Sequence, residues 1–182
     1  MEEQDYWKHM ASLNKETFRE LMLTYGQDVW NYAYLMTKRA DLADDISQDV
    51  FLKVYQNIGS FRGESSFRTW LISITRNIAI NYRRSAFVRK VTLVDWIVRK
   101  ETHSSAEDEA MEICLAEDIW QIVLKLPVKY REVLLLDARY DLTIKEIADV
   151  LGISQGTVKS RLSRARSKVT RIWKEGAAYE RA

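Results

Sequence analysis

The sequence predicts an all-α protein with two small helical domains joined by a linker, the second domain containing a helix-turn-helix. Apolar residues recur at helical spacing over nearly the whole chain, and only one Pro and six Gly interrupt its 182 residues. Hydrophobic residues make up 47% of the chain, which is enough to build a core in each domain. We expect the first domain in residues 1–86, the linker in 87–105 and the second domain in 106–182.

Three amphipathic helices are expected in the first domain, over residues 18–38, 42–58 and 67–85. Glycines punctuate the loop between the second and third helices, and Ser65 or Ser66 can cap the third helix. The second helix is predicted to bury the stripe Ile46, Val50, Phe51, Val54 and Ile58. The third helix is predicted to bury the stripe Phe67, Trp70, Leu71, Ile74 and Ile78.

The second domain is expected to begin with helices over residues 106–125 and 128–140. Pro127 suits the start of the second of these, because the first amides of a helix have no hydrogen-bond partner within it. Further along, Thr143 and Glu146 have the spacing of a capping box that opens a short helix. Gly152 can adopt the left-handed conformation that ends this helix. Since Ser154 can then cap a following helix, the segment predicts a helix-turn-helix.

The second helix of this motif is a candidate duplex-DNA reader. Residues 159–174 contain seven basic residues and no acid. One apolar stripe of this helix is predicted to comprise Val158, Leu162, Ala165, Val169 and Ile172. Lys and Arg can reach guanine edges or phosphates, and Ser can reach either. A solvated basic face with a packing role is the less favoured alternative. The candidate DNA-binding residues are Gln155, Gly156, Thr157, Lys159, Ser160, Ser163, Arg164 and Arg166.

The exposed side of the second helix is acidic and carries one apolar residue in its midst. This combination disfavours DNA, which is a polyanion, and favours docking of a protein. A merely solvated acidic face is equally compatible with these residues alone. The candidate docking residues are Asp44, Asp45, Gln48, Asp49 and Leu52.

The third helix and the loop before it are basic, since residues 62–90 contain seven bases and one acid. Cations can bind phosphates, while aromatic and amide groups can hold an unstacked base of single-stranded DNA. The rings of Phe67 and Trp70 are instead expected in the core. The candidate single-strand-binding residues are Phe61, Arg62, Ser65, Arg76, Asn77, Arg83 and Arg84.

Several other classes of function are disfavoured by composition. A single Cys114 and two histidines, His9 and His103, offer neither a disulfide framework nor a metal-binding cluster. Phosphate-binding glycine loops and activated nucleophiles are not found, so we expect no enzyme activity and no cofactor. Because no segment is apolar enough to span a bilayer, we expect a cytoplasmic protein without membrane insertion.

Three segments together resemble the extracytoplasmic-function branch, group 4, of the sigma-70 factors. The first is DDISQDVF at residues 44–51. The second joins SFRG at 60–63 to FRTWL at 67–71, and the third is GTVKSRL at 156–162, followed by Arg164 and Arg166. Two positions depart from the common pattern, Asn81 where many relatives have Asp and Ser163 where a bulkier residue is frequent.

The resemblance implies a role for each surface. The acidic second helix would dock on the clamp helices of the largest subunit of core RNA polymerase, and the polymerase flap is a further expected contact. The third helix would read and melt the minus-10 promoter element, with Asn77 near the flipped base. The carboxy-terminal helix would read the minus-35 element, and an anti-sigma factor is an expected partner. The rival hypothesis is a stand-alone helix-turn-helix repressor or activator.

Overall fold

The computed structural model describes residues 13–93 and 118–179 of the chain. Within these ranges the chain forms seven α-helices, a 3-10 turn at Ile58–Ser60 and no β-strand, which confirms the predicted all-α class. The helices are α1 Lys15–Thr37, α2 Ala40–Asn57, α3 Phe67–Leu93, α4 Asp118–Lys125, α5 Val128–Ala138, α6 Ile144–Leu151 and α7 Gln155–Tyr179.

The helices belong to two compact units, one within Met1–Glu101 and the other within Thr102–Ala182. In unit 1, α1, α2 and α3 pack against one another. In unit 2, α7 packs on α4, α5 and α6. The exact domain limits expected at residues 86 and 106 stay a prediction.

Helix α1 begins and ends with well-defined caps. The Asn14 side chain accepts a hydrogen bond of 2.8 Å from the Thr17 amide, as an N-cap residue does. At the other end Lys38 adopts a left-handed conformation with φ 59°, which turns the chain into α2. The predicted stripe of α2 is confirmed, since all five of its side chains are buried.

Helix α3 differs from the prediction in its buried face and in its length. Trp70, Ile74 and Ile78 are only half-buried, because α3 packs on both α1 and α2 and its contact face is rotated toward a different set of side chains. The helix also continues to Leu93 rather than ending near Ser85, since no Pro or Gly follows Gly63 until Pro127. The side chains that α3 buries, among those that the structure describes, are Phe67, Thr69, Leu71, Ile72, Thr75 and Ala79.

Unit 2 is built around the first half of α7. The carbonyl of Pro127 accepts from the amides of Tyr130 and Arg131 at 2.9 and 3.1 Å, so proline lies just before α5 as expected. Arg131 is buried, and its Nη1 donates to the carbonyl of Leu124 near the end of α4 at 3.1 Å. This contact fixes the short α4 against α5.

Some expectations fall outside the described residues. These are the linker from residue 94 onward, the helix over 106–117, and the residues Cys114, His9 and His103.

Candidate nucleic-acid and protein interfaces

The turn between α6 and α7 has the caps that its sequence predicts. The Thr143 amide donates to Glu146 Oε2 at 2.9 Å, and the Glu146 amide donates to Thr143 Oγ1 at 3.3 Å, which completes the capping box. Gly152 ends α6 with φ 65°. Ser154 Oγ then accepts from the Thr157 amide at 3.2 Å and starts α7. Local sequence therefore fixes the angle at which α7 leaves the motif.

Helix α7 separates a buried stripe from an exposed polar side. Val158, Leu162 and Ala165 of the predicted stripe are buried within unit 2, whereas Val169 and Ile172 are only half-buried. Of the eight candidate DNA-binding residues, seven are exposed and only Thr157 is half-buried. The exposed seven are Gln155, Gly156, Lys159, Ser160, Ser163, Arg164 and Arg166. An exposed helix with capped amides and a basic surface can enter a major groove.

Two polar groups of this surface are already engaged within the protein. Arg166 donates to Asp137 Oδ2 of α5 at 2.8 Å, and Asp137 is only 25% exposed. Ser160 donates its hydroxyl hydrogen to the Thr157 carbonyl at 3.0 Å, which leaves the Ser160 oxygen as an acceptor. Arg164, by contrast, makes no ion pair or hydrogen bond with the residues that the structure describes. Arg164 is therefore available for a ligand, whereas Arg166 also anchors α7 to α5.

Basic residues of α3 and its preceding loop lie at the surface of unit 1. Arg62, Asn77 and Arg84 are exposed, and Arg76 and Arg83 are half-buried. Ser66 rather than Ser65 caps α3, since its Oγ accepts from the Thr69 amide at 3.0 Å. The half-buried Ser65 instead donates to the Ser66 carbonyl at 3.2 Å, as part of the loop.

Phe61 lies in the core rather than at the surface. Its side chain is 4% exposed, and its ring contacts those of Phe67 and Trp70 at centroid distances of 5.4 and 5.3 Å. The ring cannot stack on a base, contrary to the expectation from sequence, because these aromatic contacts occupy it. Phe61 instead attaches the loop that carries Arg62 to the start of α3.

Another cation of α3 is held by an ion pair with α1. Arg68 donates through Nε and Nη2 to Asp28 Oδ2 at 2.9 and 2.7 Å. Asp28 is 16% exposed, so the pair is partly shielded from water. Arg68 therefore fixes α3 against α1 near the start of the basic surface.

The five candidate docking residues of α2 are all exposed. Neighbouring helices hold two of the acids. Trp30 of α1 donates its indole hydrogen to Asp44 Oδ1 at 2.7 Å, and Tyr82 of α3 donates its hydroxyl to Asp49 Oδ2 at 2.7 Å. The hydrogen bond to Asp49, followed by burial, raises the pKa of Tyr82 to about 12. Both carboxylates are thus oriented before any partner binds.

An apolar groove borders this acidic face, between α1 and α2. Its volume is about 650 Å³. Leu52, at the edge of the acids, is 55% exposed, and Tyr55 is 50% exposed. The groove is lined by Lys15, Phe18, Met22, Gly26, Trp30, Ser47, Gln48, Phe51, Leu52 and Tyr55. Such a groove next to carboxylates can bind a helix that carries both apolar and cationic side chains.

Most of the groove was not predicted from the sequence. Gln48 and Leu52 were predicted docking residues, but no binding role was predicted for the α1 residues that line the groove. A signal was present, since Met22, Gly26 and Trp30 recur every fourth residue and therefore share one face of α1. Asp137, Asp28 and Tyr82 were also missed, because contacts between distant residues carry no local pattern.

An exposed acidic face, a basic helix in the same unit and a capped helix-turn-helix in a second unit are the features of a DNA-binding transcription regulator. Comparison with known families gives the class directly. Sigma-70 region 2 matches residues 21–87, and Sigma-70, region 4, matches residues 116–169. The chain belongs to the sigma-70 family of RNA polymerase sigma factors, in its extracytoplasmic-function (ECF) branch.

Similar curated proteins span nearly the whole chain. RNA polymerase sigma factor YlaC of Bacillus subtilis is 30% identical over 170 residues, covering 92% of this chain and 98% of that protein. ECF RNA polymerase sigma factor SigW of the same species is 31% identical over 170 residues, covering 87% and 90%. The chain is therefore a promoter-recognising sigma factor rather than a stand-alone repressor or activator.

Two solved structures share the fold. The sigma factor RpoE, solved in complex with the anti-sigma factor NepR from Bartonella quintana, has a TM-score of 0.65 and 23% identity, covering 86% of this chain and 96% of that chain. CnrH, solved in complex with the cytosolic domain of CnrY, has a TM-score of 0.62 and 24% identity, covering 89% and 90%.

None of the helices in residues 13–93 and 118–179 combines the length and the hydropathy needed to cross a bilayer. The same residues contain no group of three or more His, Cys, Asp or Glu side chains arranged to hold a metal ion.

Proposed function

We propose that α2 and the adjoining groove bind core RNA polymerase, that α3 with its preceding loop reads and opens the minus-10 element, and that α7 reads the minus-35 element. The observation that carries this assignment is the opposite chemistry of α2 and α3 within one unit. The acids of α2 lie beside an apolar groove between α1 and α2, whereas Arg62, Arg76, Arg83 and Arg84 give α3 and its loop a basic surface. One unit can thus bind a protein and a polyanion at the same time.

Docking on polymerase would use the groove for affinity and the acids for orientation. Burial of the exposed Leu52 and Tyr55 side chains removes apolar surface from water. Asp44 and Asp49 are already held by Trp30 and Tyr82, so less side-chain entropy is lost when a cation binds them. The clamp helices of the largest polymerase subunit are the proposed occupant.

Opening of the minus-10 element would depend on exposed groups of α3. Asn77 is exposed and carries an amide that can pair with the edge of an unstacked base. Arg62 and Arg84 are exposed and can bind the phosphates on either side of it. Phe61 would act indirectly, by holding the loop.

Recognition of the minus-35 element would depend on Lys159, Ser160 and Arg164 for base edges and phosphates. Gln155, Gly156 and Thr157 lie in the first turn of α7, where the positive end of the helix dipole attracts a phosphate. Exposed apolar groups of unit 2, Ile119 at 43% and Trp173 at 48%, support a further contact with the polymerase flap.

The groove of unit 1 also supports regulation by an anti-sigma factor. A free sigma factor with an exposed apolar groove is open to a protein that competes with polymerase for it. RpoE, which has a similar fold, was solved in complex with the anti-sigma factor NepR. We further propose that the protein works in the cytoplasm with polymerase and has no catalytic activity of its own.

Three variants of the full chain test the division of labour in reconstituted holoenzyme. Asp45→Asn is expected to weaken binding to core polymerase, Asn77→Ala to reduce minus-10 opening at saturating core, and Lys159→Ala to weaken minus-35 recognition. The matched control is Lys145→Ala, which removes an exposed cation from α6 of unit 2. If all three variants are defective in the same step of initiation, or if none is defective, the assignment of the surfaces is wrong.

A further inference from the structure

Between residues 80 and 85, the side chains at the proposed DNA-binding end of α3 are exposed or half-buried. Ala79 is the last buried side chain of α3 as far as residue 85. Beyond it, Asn81 and Arg84 are exposed and Arg83 is half-buried. The Tyr82 hydroxyl, in the midst of these residues, donates to Asp49 Oδ2 of α2 at 2.7 Å. This hydrogen bond joins the proposed DNA-binding end of α3 to the proposed polymerase-binding face.

We propose that the Tyr82 hydroxyl is a positioning group for promoter opening, which holds the Arg83–Arg84 end of α3 against α2 through Asp49. Asp49 accordingly serves two steps, docking on polymerase and alignment of the helix that opens DNA. The inference rests on the proposed function of α2 and α3, and it adds a residue that the sequence patterns did not indicate.

The geometry allows both uses of Asp49 at once. Tyr82 occupies Oδ2, and among the described residues Oδ1 accepts no hydrogen bond, so a cation of a docked partner can bind there. A hydroxyl that donates to a carboxylate makes one of the stronger classes of hydrogen bond in proteins. The same hydrogen bond raises the pKa of Tyr82 to about 12, so the phenol remains protonated and able to donate well above neutral pH.

The bond acts where alignment matters most. Flipping a base out of the duplex costs the free energy of its stacking and pairing, and contacts with the protein must offset that cost. These contacts form at the same time only if the protein groups that make them are held in fixed positions. Arg83 and Arg84 follow Tyr82 directly, and with no buried side chain between Ala79 and residue 85 the Tyr82 contact limits their movement. Loss of the hydroxyl frees this end of α3 without removing any charge from either surface.

The test uses full-length protein in holoenzyme at saturating core, with Tyr82→Phe as the main variant. We expect core affinity within about twofold of the original, because Asp49 keeps its charge. The fraction of promoter opened at equilibrium, measured by the reactivity of unpaired thymines, should fall roughly threefold to tenfold, as loss of one ordinary, solvent-exposed hydrogen bond predicts.

Two further variants distinguish positioning from general damage. Asp49→Ala should lower both core affinity and opening, and adding Tyr82→Phe to it should cause no further loss of opening. Asp45→Ala removes the same charge four residues away and should lower core affinity alone, since Asp45 makes no hydrogen bond with Tyr82.

Some outcomes overturn the inference. Opening by Tyr82→Phe at the original level, a parallel loss of core affinity and opening, or additive losses in the double variant would each do so. If the unaltered protein itself fails to direct initiation with core polymerase, the proposed function fails instead. The two failures are therefore distinguishable.

Discussion

Replacement of Arg164 by alanine should weaken minus-35 recognition without affecting the fold. Arg164 is exposed on α7 and makes no ion pair or hydrogen bond with the described residues, so its removal breaks no internal contact. A good bidentate contact of Arg with a guanine edge contributes about 1–3 kcal/mol of discrimination. Affinity for promoter duplex should therefore fall roughly fivefold to 150-fold, and the free energy of unfolding should change by less than about 0.5 kcal/mol.

Arg166→Ala is the matched comparison, because this neighbouring arginine is tied to Asp137 at 2.8 Å. Arg166 is 63% exposed, so the pair contributes at most about 1 kcal/mol to stability. If Arg166 binds a phosphate, Arg166→Ala should reduce the slope of log binding constant against log salt concentration by about 0.9. The loss should be the same for every DNA sequence. Only Arg164→Ala should relax base preference.

The assay is titration of holoenzyme onto a promoter fragment at several salt concentrations, repeated with single base changes in the minus-35 element. A thermal unfolding curve accompanies each variant. The assignment of Arg164 is wrong if Arg164→Ala binds as tightly as the original protein, or if its losses are the same for every minus-35 sequence.

Three further predictions concern stability, the groove and pH. Thr143→Ala removes the capping box of α6 and should lower the free energy of unfolding of unit 2 by about 0.5–2 kcal/mol. Thr170→Ala, at an exposed position of α7, should leave that free energy nearly unchanged. Equal melting temperatures of the two variants would contradict this prediction. Gly26→Ala should stabilise α1 by about 0.5–1 kcal/mol, since an added Cβ has no neighbour within 4 Å. Gly26→Leu should instead fill the groove and weaken binding to core polymerase. If the two Gly26 variants bind core polymerase with equal affinity, the groove is not a docking site. The pKa of Tyr82, about 12, lies above the ordinary value near 10. The stabilisation by the Tyr82–Asp49 hydrogen bond should therefore be complete below about pH 10 and lost as pH rises toward 12. The difference in free energy of unfolding between the original protein and Tyr82→Phe, measured by denaturant titration, should shrink over this range, and a constant difference would argue against the bond.

Sequence predicted best what local pattern determines. The α2 stripe and the Thr143, Gly152 and Ser154 caps were confirmed, because each depends on residues within one helix or one turn. These local signals were enough to predict the fold class and the helix-turn-helix.

Prediction was less successful where two neighbouring helices decide the outcome. Helix α3 has apolar residues on several sides, so its buried face depends on where α1 and α2 lie and could not be read from periodicity alone. Phe61 was expected to hold an unstacked base because it is an aromatic residue in the loop before the basic helix, but Phe67 and Trp70 bury its ring. The Tyr82–Asp49 bond spans 33 residues and leaves no trace in sequence spacing.

The most direct test of the account is promoter-dependent transcription with purified protein and bacterial core RNA polymerase, comparing core alone, protein alone and the mixture on a genomic fragment library. We expect initiation at specific sites only with the mixture, and a shared minus-35 and minus-10 pattern upstream of those sites. Tight binding of duplex DNA by the protein alone, without core binding or initiation, would contradict the account.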